Sequence, residues 1–437
     1  MSVVTGSVVE RLRQGAERIV ELKNYPPHPA VSLLRGLIDL AHFRWLDSEV
    51  ARETLLRRTE EAPNRLSAAK RSAVNALTRV FANRPGLRLL DTVEKSASWK
   101  LRPTDDFCEL FKELKPDLVF NGSHIHGPAA EEPLRAAHQM GIPTAGFVFS
   151  WDNLTSRGRI MAPYDYFFVW NQGMKKQLLN LYSHLRPENV FAPGTPQFDF
   201  HFQDQFHLSR VELCRRIGLD PQRPIIFYTT GMNTHFPEEH RTVEFLIQAL
   251  ERMNLRPKPQ LVVRRYVKGT SREMMDLANR NLPDVVFPDI LWEEKWKTPL
   301  YEDLPIYTSL LREAALGINV ASTVSLELII HDKPVINLGF DPPGSKLGPL
   351  WEYERHLRFD HYAPVVASGA VMVARSPQDL EPMIMRGLTE PEALREERAR
   401  FKESMFGSTL DGRAGSRIAE ILTGIATLKS DRDEWPR

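Results

Sequence analysis

Apolar residues recur every three to four positions over about the first 100 residues, whereas beyond Lys115 they bunch into short runs closed by turns and followed by helical stretches. That change of period predicts a mainly helical segment followed by βαβ units, whose product is a parallel sheet. Over 66–81, Leu66, Ala69, Ala73, Leu77, Val80 and Phe81 share one side of a helical wheel, with Arg71, Asn75 and Arg79 opposite. The stretch reads as one amphipathic helix.

Strands are expected at 115–122, 141–149, 164–170 and 189–192, with helices over 129–140 and 173–182. Residues 199–222, rich in Phe, His and Gln and then helical, read as a passage between lobes. A second set of strand-like runs follows at 223–230, 260–264, 284–287, 317–320 and 334–338, most of them separated by helical stretches. The fold class expected is therefore α/β, with two Rossmann-like lobes and a helical N-terminal region. The divisions fall at 1–110 for the helical region, belonging or appended to the first lobe, 111–200 for that lobe, 201–410 for the second lobe, and 411–437 for a closing helix and tail. Lobes of this kind bind ligands outside the carboxyl ends of their strands.

Length supports two cores: 437 residues exceed what one ordinary hydrophobic core accommodates. With 42% hydrophobic and 26% charged residues the chain has the make-up of a globular protein. Fifty-seven basic residues against 56 acidic ones, a net charge of +1, argue against a surface devoted to nucleic acid. Charge is uneven locally. Between 51 and 90 there are nine Lys/Arg against three acids, which reads either as a solvated helix face or as a docking surface for an anionic membrane or polyanionic acceptor. Cys108 and Cys214 stand alone, without the spacing of a disulfide framework or a zinc site. Glu10, Arg11, Arg13, Glu17 and Arg18 break up the first twenty residues, and no apolar run approaches the length of about 18 needed to span a bilayer. The location expected is cytoplasmic, with the basic helices as the one candidate for peripheral contact at the inner face of the membrane.

The segment 310–337 carries the clearest chemistry. A strand ending at Val320 runs through Ala321, Ser322 and Thr323 into a helix. Ser322 is placed to cap that helix, Ser325 lies in its first turn and Glu327 about one turn on. Free backbone amides, hydroxyls and the helix dipole converge there, which suits a phosphate, with Glu327 positioned for ribose hydroxyls. The competing reading is an ordinary helix cap with a solvated glutamate. In the first lobe, 121–127 follows a strand and holds His124 and His126, alternative general bases for deprotonating an acceptor hydroxyl. The loop 150–158 offers Asp152 as base or acceptor anchor and Trp151 and Asn153 as acceptor contacts; otherwise Asp152 and Asn153 shape a turn and Trp151 packs in the core.

The 310–337 segment resembles the donor-phosphate motif of GT-B glycosyltransferases, a Ser/Thr turn opening a helix that contains Glu and leads to a Lys-Pro-Val-Ile strand, here 333–336. The sequence Trp151, Asp152, Asn153, Leu154, Thr155 resembles loops of bacterial surface-polysaccharide and teichoic-acid-type transferases. This resemblance implies that 111–200 is the acceptor lobe and 201–410 the donor-nucleotide lobe, and that Thr229, Thr230 and Gly231 lie against the donor diphosphate. Arg264 or Arg265, on opposite sides of one strand, is expected to neutralise the departing diphosphate. No Asp-x-Asp ends a strand; the spacing at Asp431 and Asp433 lies in a polar tail, so neither a metal nor another cofactor is expected. The resulting expectation is a metal-independent, inverting transfer of a sugar from a nucleotide-activated donor to a cell-surface glycan or lipid-linked acceptor. A CDP-glycerol or other polyol-phosphate transferase, a UDP-N-acetylglucosamine 2-epimerase-like enzyme and a non-catalytic scaffold are the alternatives.

Overall fold

The computed structural model describes residues 15–20, 22–60, 68–125, 130–293 and 298–433. Most of the chain divides into two compact units, 20–196 with 409–437, and 197–408. Each contains one wholly parallel sheet. The α/β class with two Rossmann-like lobes and a helical N-terminal region is the class observed.

Among the described residues of the first unit, five helices precede the sheet: α1 Pro29–Leu46, α2 Glu49–Glu60, α3 Ala68–Phe81, α4 Arg84–Leu101 and α5 Asp105–Leu114. Pro29 opens α1 where a missing N–H costs nothing, and Asn83 caps α4 by accepting from the Gly86 amide at 2.8 Å. Ile38 and Ala41 of α1 pack on Leu87 and Leu90 of α4. Beside that apolar seam lies a buried ionic one. Arg35 holds Glu94 at 2.6 Å and also Glu131, and Arg102 holds Glu131 at 2.7 Å and also Glu132. This pairing explains why α4 turns Glu94 and Ser98 inward. On α3 the inward polar residues are Asn75 and Thr78, while Leu77 and Val80 face out, the reverse of what an apolar stripe ordinarily does. Leu66 lies outside the described residues.

The sheet follows in sequence order, β1 Val119–Asn121, β2 Thr144–Phe147, β3 Tyr166–Phe168 and β4 Val190–Phe191, with α6 Glu131–Gln139 and α7 Gln172–Leu181 as crossovers. Asn153–Ser156 forms a single helical turn after β2.

The second unit opens with α8 Arg210–Ile217. It continues through β5 Ile225–Thr229, α9 Glu239–Arg252, β6 Gln260–Arg264, α10 Arg272–Ala278 and β7 Val285–Val286. A small hairpin, β8 Trp292–Glu293 with β9 Thr298–Pro299, precedes α11 Leu304–Glu313, β10 Leu316–Val320, α12 Thr323–Ile330, β11 Val335–Leu338 and β12 Met372–Ala374. Helices α13 Pro377–Thr389 and α14 Arg395–Phe406 complete it. Its main strands are mostly apolar because helices cover both faces, and Ile226, Tyr228, Val263, Ile318 and Ile336 share one continuous core. The last helix, α15 Ala414–Asp433, belongs to the first unit. Arg417 ties it there by donating to the Pro193 carbonyl at 2.7 Å and to that of Thr409 at 2.9 Å.

Candidate functional site

The strand order of the second sheet is β12-β11-β10-β5-β6-β7. Strands β5 to β7 are laid down in one direction, after which the chain crosses back and builds β10 to β12 in the other. The order reverses between β5 and β10, and at such a reversal the loops leaving the two strands diverge to opposite faces, opening a crevice at their carboxyl ends. The loops in question are 230–238 and 321–322.

Just below that crevice runs a polar row. Thr229 pairs with Arg264 on one side and Asn319 on the other, and Asn319 pairs with Asn337. Residues in register on neighbouring strands point to the same face, so four buried polar side chains cross four strands at one level. Asn319 Oδ1 accepts from Ser325 Oγ and from Asn337 Nδ2, each at 3.0 Å. The Arg264 guanidinium donates to buried Asp303 and lies 4.7 Å from the centre of the Tyr307 ring. Three atoms of the row, Arg264 Nη1, Thr229 Oγ1 and Asn319 Nδ2, have no hydrogen-bond partner among the described residues. Each leaves a desolvation cost of about 1–3 kcal/mol uncompensated, more for the guanidinium.

Above the row stands the amino end of α12. Ser322 is its N-cap in extended conformation, with Oγ accepting from the Val324 amide at 3.2 Å. Residues 321–324 are half-exposed and 325–330 buried, so the helix is embedded in apolar surroundings except where its free amides and positive dipole end emerge, at Ser322 and Thr323. Ser325 corrects its expectation. Its side chain is fully buried, and besides reaching Asn319 it accepts from Tyr362 Oη at 2.8 Å and from Asn337 Nδ2 at 3.0 Å, so its hydroxyl faces the interior rather than a ligand. Burial pushes the Tyr362 phenol up to about 12, keeping it protonated as a donor.

Glu327 is also buried, against the expectation of a solvated carboxylate or a free ribose contact. Tyr307 Oη donates to Oε1 at 2.9 Å, and His201 Nε2 lies 3.0 Å from Oε2. A carboxylate only accepts, so His201 Nε2 carries a hydrogen toward Glu327, and its Nδ1 lies 3.1 Å from His331 Nε2. Burial, reinforced by His201, holds His331 down to about 3 and therefore neutral. Glu327 thus bolts α12 to the segment around His201 and, through Tyr307, to Arg264.

The loop after β5 is built around two short-range constraints. Thr230 Oγ1 accepts from the Tyr266 amide at 2.8 Å, and the Thr230 amide donates to the Arg264 carbonyl at 3.0 Å. The Gly231 amide, expected to approach a diphosphate, instead donates to Glu239 Oε2 at 2.9 Å. Its lack of a side chain serves packing, since a Cβ there would lie 2.0 Å from the Phe236 ring. Glu239 also accepts from Tyr228 at 2.9 Å, and burial lifts its carboxyl to about 8. Of the two arginines, Arg264 lies in the polar row, while Arg265 on the other face donates to Met275 Sδ at 2.9 Å.

In the first unit, His124 follows β1. Its amide donates to the Phe147 carbonyl at 3.2 Å and its Nδ1 accepts from Phe149 at 3.4 Å, which brings it against the loop that leaves β2. It lines a cavity of about 360 Å³ together with Arg35, Asn121, Arg157 and Tyr164. His126 lies outside the described residues. The 150–158 loop is bonded to itself: Asp152 accepts from Ser150 Oγ, from Ser156 Oγ at 2.6 Å and from Asn153 Nδ2 at 3.3 Å, and Asn153 Oδ1 accepts from the Ser150 amide at 2.9 Å. Asn153 and Trp151 are buried, so the loop has the turn-shaping arrangement rather than an open aromatic platform. Among the described residues no group of three or more His, Cys, Asp or Glu is placed to hold a metal ion, and no helix is long and apolar enough to cross a membrane.

His201, Asp303, Tyr307, Asn319, Asn337 and Tyr362 were not among the residues expected at the site. Only the two asparagines left a signal, each a lone polar residue inside an apolar strand run.

No protein-family model matches this sequence, and no curated protein matches it. Among solved structures, the UDP-GlcNAc 2-epimerase from Neisseria meningitidis, bound to UDP-GlcNAc, is 13% identical with a TM-score of 0.48, over 74% of this chain and 80% of that one. The wall teichoic acid polymerase TagF is 11% identical with a TM-score of 0.43, over 78% and 98%. MurG from Acinetobacter baumannii is 13% identical with a TM-score of 0.40, over 74% and 79%.

Proposed function

We propose that this chain is an enzyme of the GT-B type that holds the phosphates of a nucleotide-activated donor at the Ser322 end of α12 and transfers the donor's sugar to a cell-surface glycan or lipid-linked acceptor. One observation carries the reading. The half-exposed amino end of an otherwise buried helix stands at the strand-order reversal, and the polar layer under it contains a guanidinium nitrogen with no partner. Helix amides and dipole favour an anion, and Arg264, whose charge is paired with Asp303, still has the Nη1 donor to offer the leaving diphosphate.

In the transfer, an acceptor oxygen forms a bond to the anomeric carbon as the bond from that carbon to the donor phosphate breaks. The electron pair leaves with the diphosphate and the acceptor proton passes to a base, for which His124 is the candidate. The Phe149 amide donates to its Nδ1, so the neutral ring carries its hydrogen on Nε2, and to act as base His124 must give up that amide contact and take the acceptor proton on Nδ1.

The decisive variant is Ser322→Asp. Aspartate caps a helix as well as serine and suits its positive end, so folding is retained, but its carboxylate repels a phosphate. Titration calorimetry with UDP, CDP and GDP is expected to find a ligand for the wild type and at least about tenfold weaker binding by the variant at an unchanged melting temperature. Equal affinities would refute the site. With donor and acceptor supplied, release of a nucleoside diphosphate supports glycosyl transfer, release of CMP indicates polyol-phosphate transfer, and conversion of the donor without acceptor indicates epimerisation.

A further inference from the structure

Helices α3 and α4 turn polar side chains inward beside their apolar ones, and leave other apolar side chains outside. On α3, Arg44 reaches across to donate to Thr78 Oγ1 at 2.9 Å and to Asn75 Oδ1 at 2.8 Å, which holds the hydrophilic side against α1. Part of the apolar side is left outside, with Leu77 and Val80 44% and 68% exposed, while Phe81 packs toward Ile38 and Leu87. On α4 Glu94, paired with Arg35, is buried beside Leu87 and Leu90, and Leu89 and Val93 stand 55% and 47% exposed one turn apart. Isolated exposed apolar residues are normal on any surface. Four of them on two packed helices, outside the seam that Leu87 and Leu90 fill, go beyond that.

The joint between the helices is rigid. Asn83 caps α4, and Gly86 sits where a Cβ would lie 2.8 Å from the Phe81 backbone, so the α3 end and the first turn of α4 are pressed together. Charge on these two helices is equally one-sided. Arg79, Arg84, Arg88, Lys95 and Lys100 are exposed. Over 73–101 the acids are Asp91 and Glu94, and both are spent inward, Asp91 on Arg159 at 2.7 Å and Glu94 on Arg35. Arg84 and Arg88 donate to the neutral side chains of Asn180 and Ser183, which leaves their charge uncompensated.

We propose that the outward face of α3 and α4 docks on an anionic lipid bilayer. Leu77, Val80, Leu89 and Val93 enter the boundary between headgroups and acyl chains, and Arg79, Arg88, Lys95 and Lys100 meet the lipid phosphates. Apolar area on one face of a helix pair, flanked by cations with no free carboxylate among them, is the chemistry of an interfacial surface. This inference does not depend on the donor site.

The test is co-flotation of the full chain with vesicles of phosphatidylcholine alone or with phosphatidylglycerol added at about 30 mol%. Binding is expected with the anionic vesicles only, weakening as salt rises. Each of Arg79→Gln, Lys95→Gln and Lys100→Gln is expected to weaken it about fivefold, and Val80→Ser combined with Leu89→Ser by more than about tenfold. These side chains are exposed, so melting temperatures should stay unchanged and serve as the folding control. Equal binding to neutral vesicles, no binding to either, or variants that bind like the wild type would each overturn the proposal. So would a dimer, seen by light scattering and dispersed by Val80→Ser, in a protein that ignores vesicles, because the face would then belong to a second copy.

Discussion

Replacing Glu239 by Gln should flatten the pH dependence of stability in the mildly alkaline range. Burial raises the carboxyl from its ordinary 4.5 to about 8, against the opposing pull of hydrogen bonds from Tyr228 and the Gly231 amide. The folded chain therefore holds this proton more tightly than the unfolded one does. The stability this contributes is fully present below the unfolded value of 4.5 and is lost as pH rises through about 8. Over the whole interval the effect is about 5 kcal/mol, at about 1.4 kcal/mol per pH unit. The substituted glutamine would copy the neutral acid. Its amide NH₂ gives a hydrogen to Tyr228 Oη while its oxygen accepts from Gly231, and the phenol serves because it accepts as readily as it donates. Urea unfolding of both proteins at intervals from about pH 6.5 to 8.5 spans the loss, and the difference between the two removes every shared group, histidines included. The wild type should lose about 2 kcal/mol more than the variant across that range. Parallel curves would show that Glu239 is already ionised in the folded protein and that the account of its pocket is wrong.

Two more substitutions separate internal fastening from ligand contact. Asp303→Asn keeps an acceptor for the Leu291 amide but strands the buried Arg264 charge, so unfolding should become easier by about 3–5 kcal/mol, with much of it recovered on adding Arg264→Met. A loss below about 1 kcal/mol in urea titration would refute that pairing. Ser325→Ala should cost about 1–3 kcal/mol by stripping partners from Asn319, Asn337 and Tyr362, yet leave nucleotide affinity at the wild-type value. A variant of normal stability and lowered affinity would instead return Ser325 to the ligand.

The strands of the second lobe were legible because each is a mostly apolar run bounded by Pro, Gly or charge, and the 260–264 run coincides with β6. Strand β12 is three residues at the sheet edge, too short to carry a period. The cap at Ser322 could be read because its partner, Val324, is two residues away. What holds α12 could not, since Tyr362, Asn337, Tyr307 and His201 reach Ser325 and Glu327 from positions distant along the chain. Trp151 shows the limit of residue type as evidence: an aromatic after a strand end serves equally as platform or filler, and here burial decides for filler. In α3 the period is visible in the sequence, but which residues turn inward is not. A stripe states that a helix has two sides, whereas Arg44, with two hydrogen bonds to offer, determined which side went in.

The return of 409–433 to the unit that begins near residue 20 has a consequence for biosynthesis. That unit wraps around an inserted domain in the linear order of translation, so a ribosome releases all of 197–408 before the strip that closes the earlier core has emerged. The inserted lobe is free to mature while the nascent earlier lobe waits with its Pro193 carbonyl uncovered, and production of 20–196 by itself would yield a body missing its clasp.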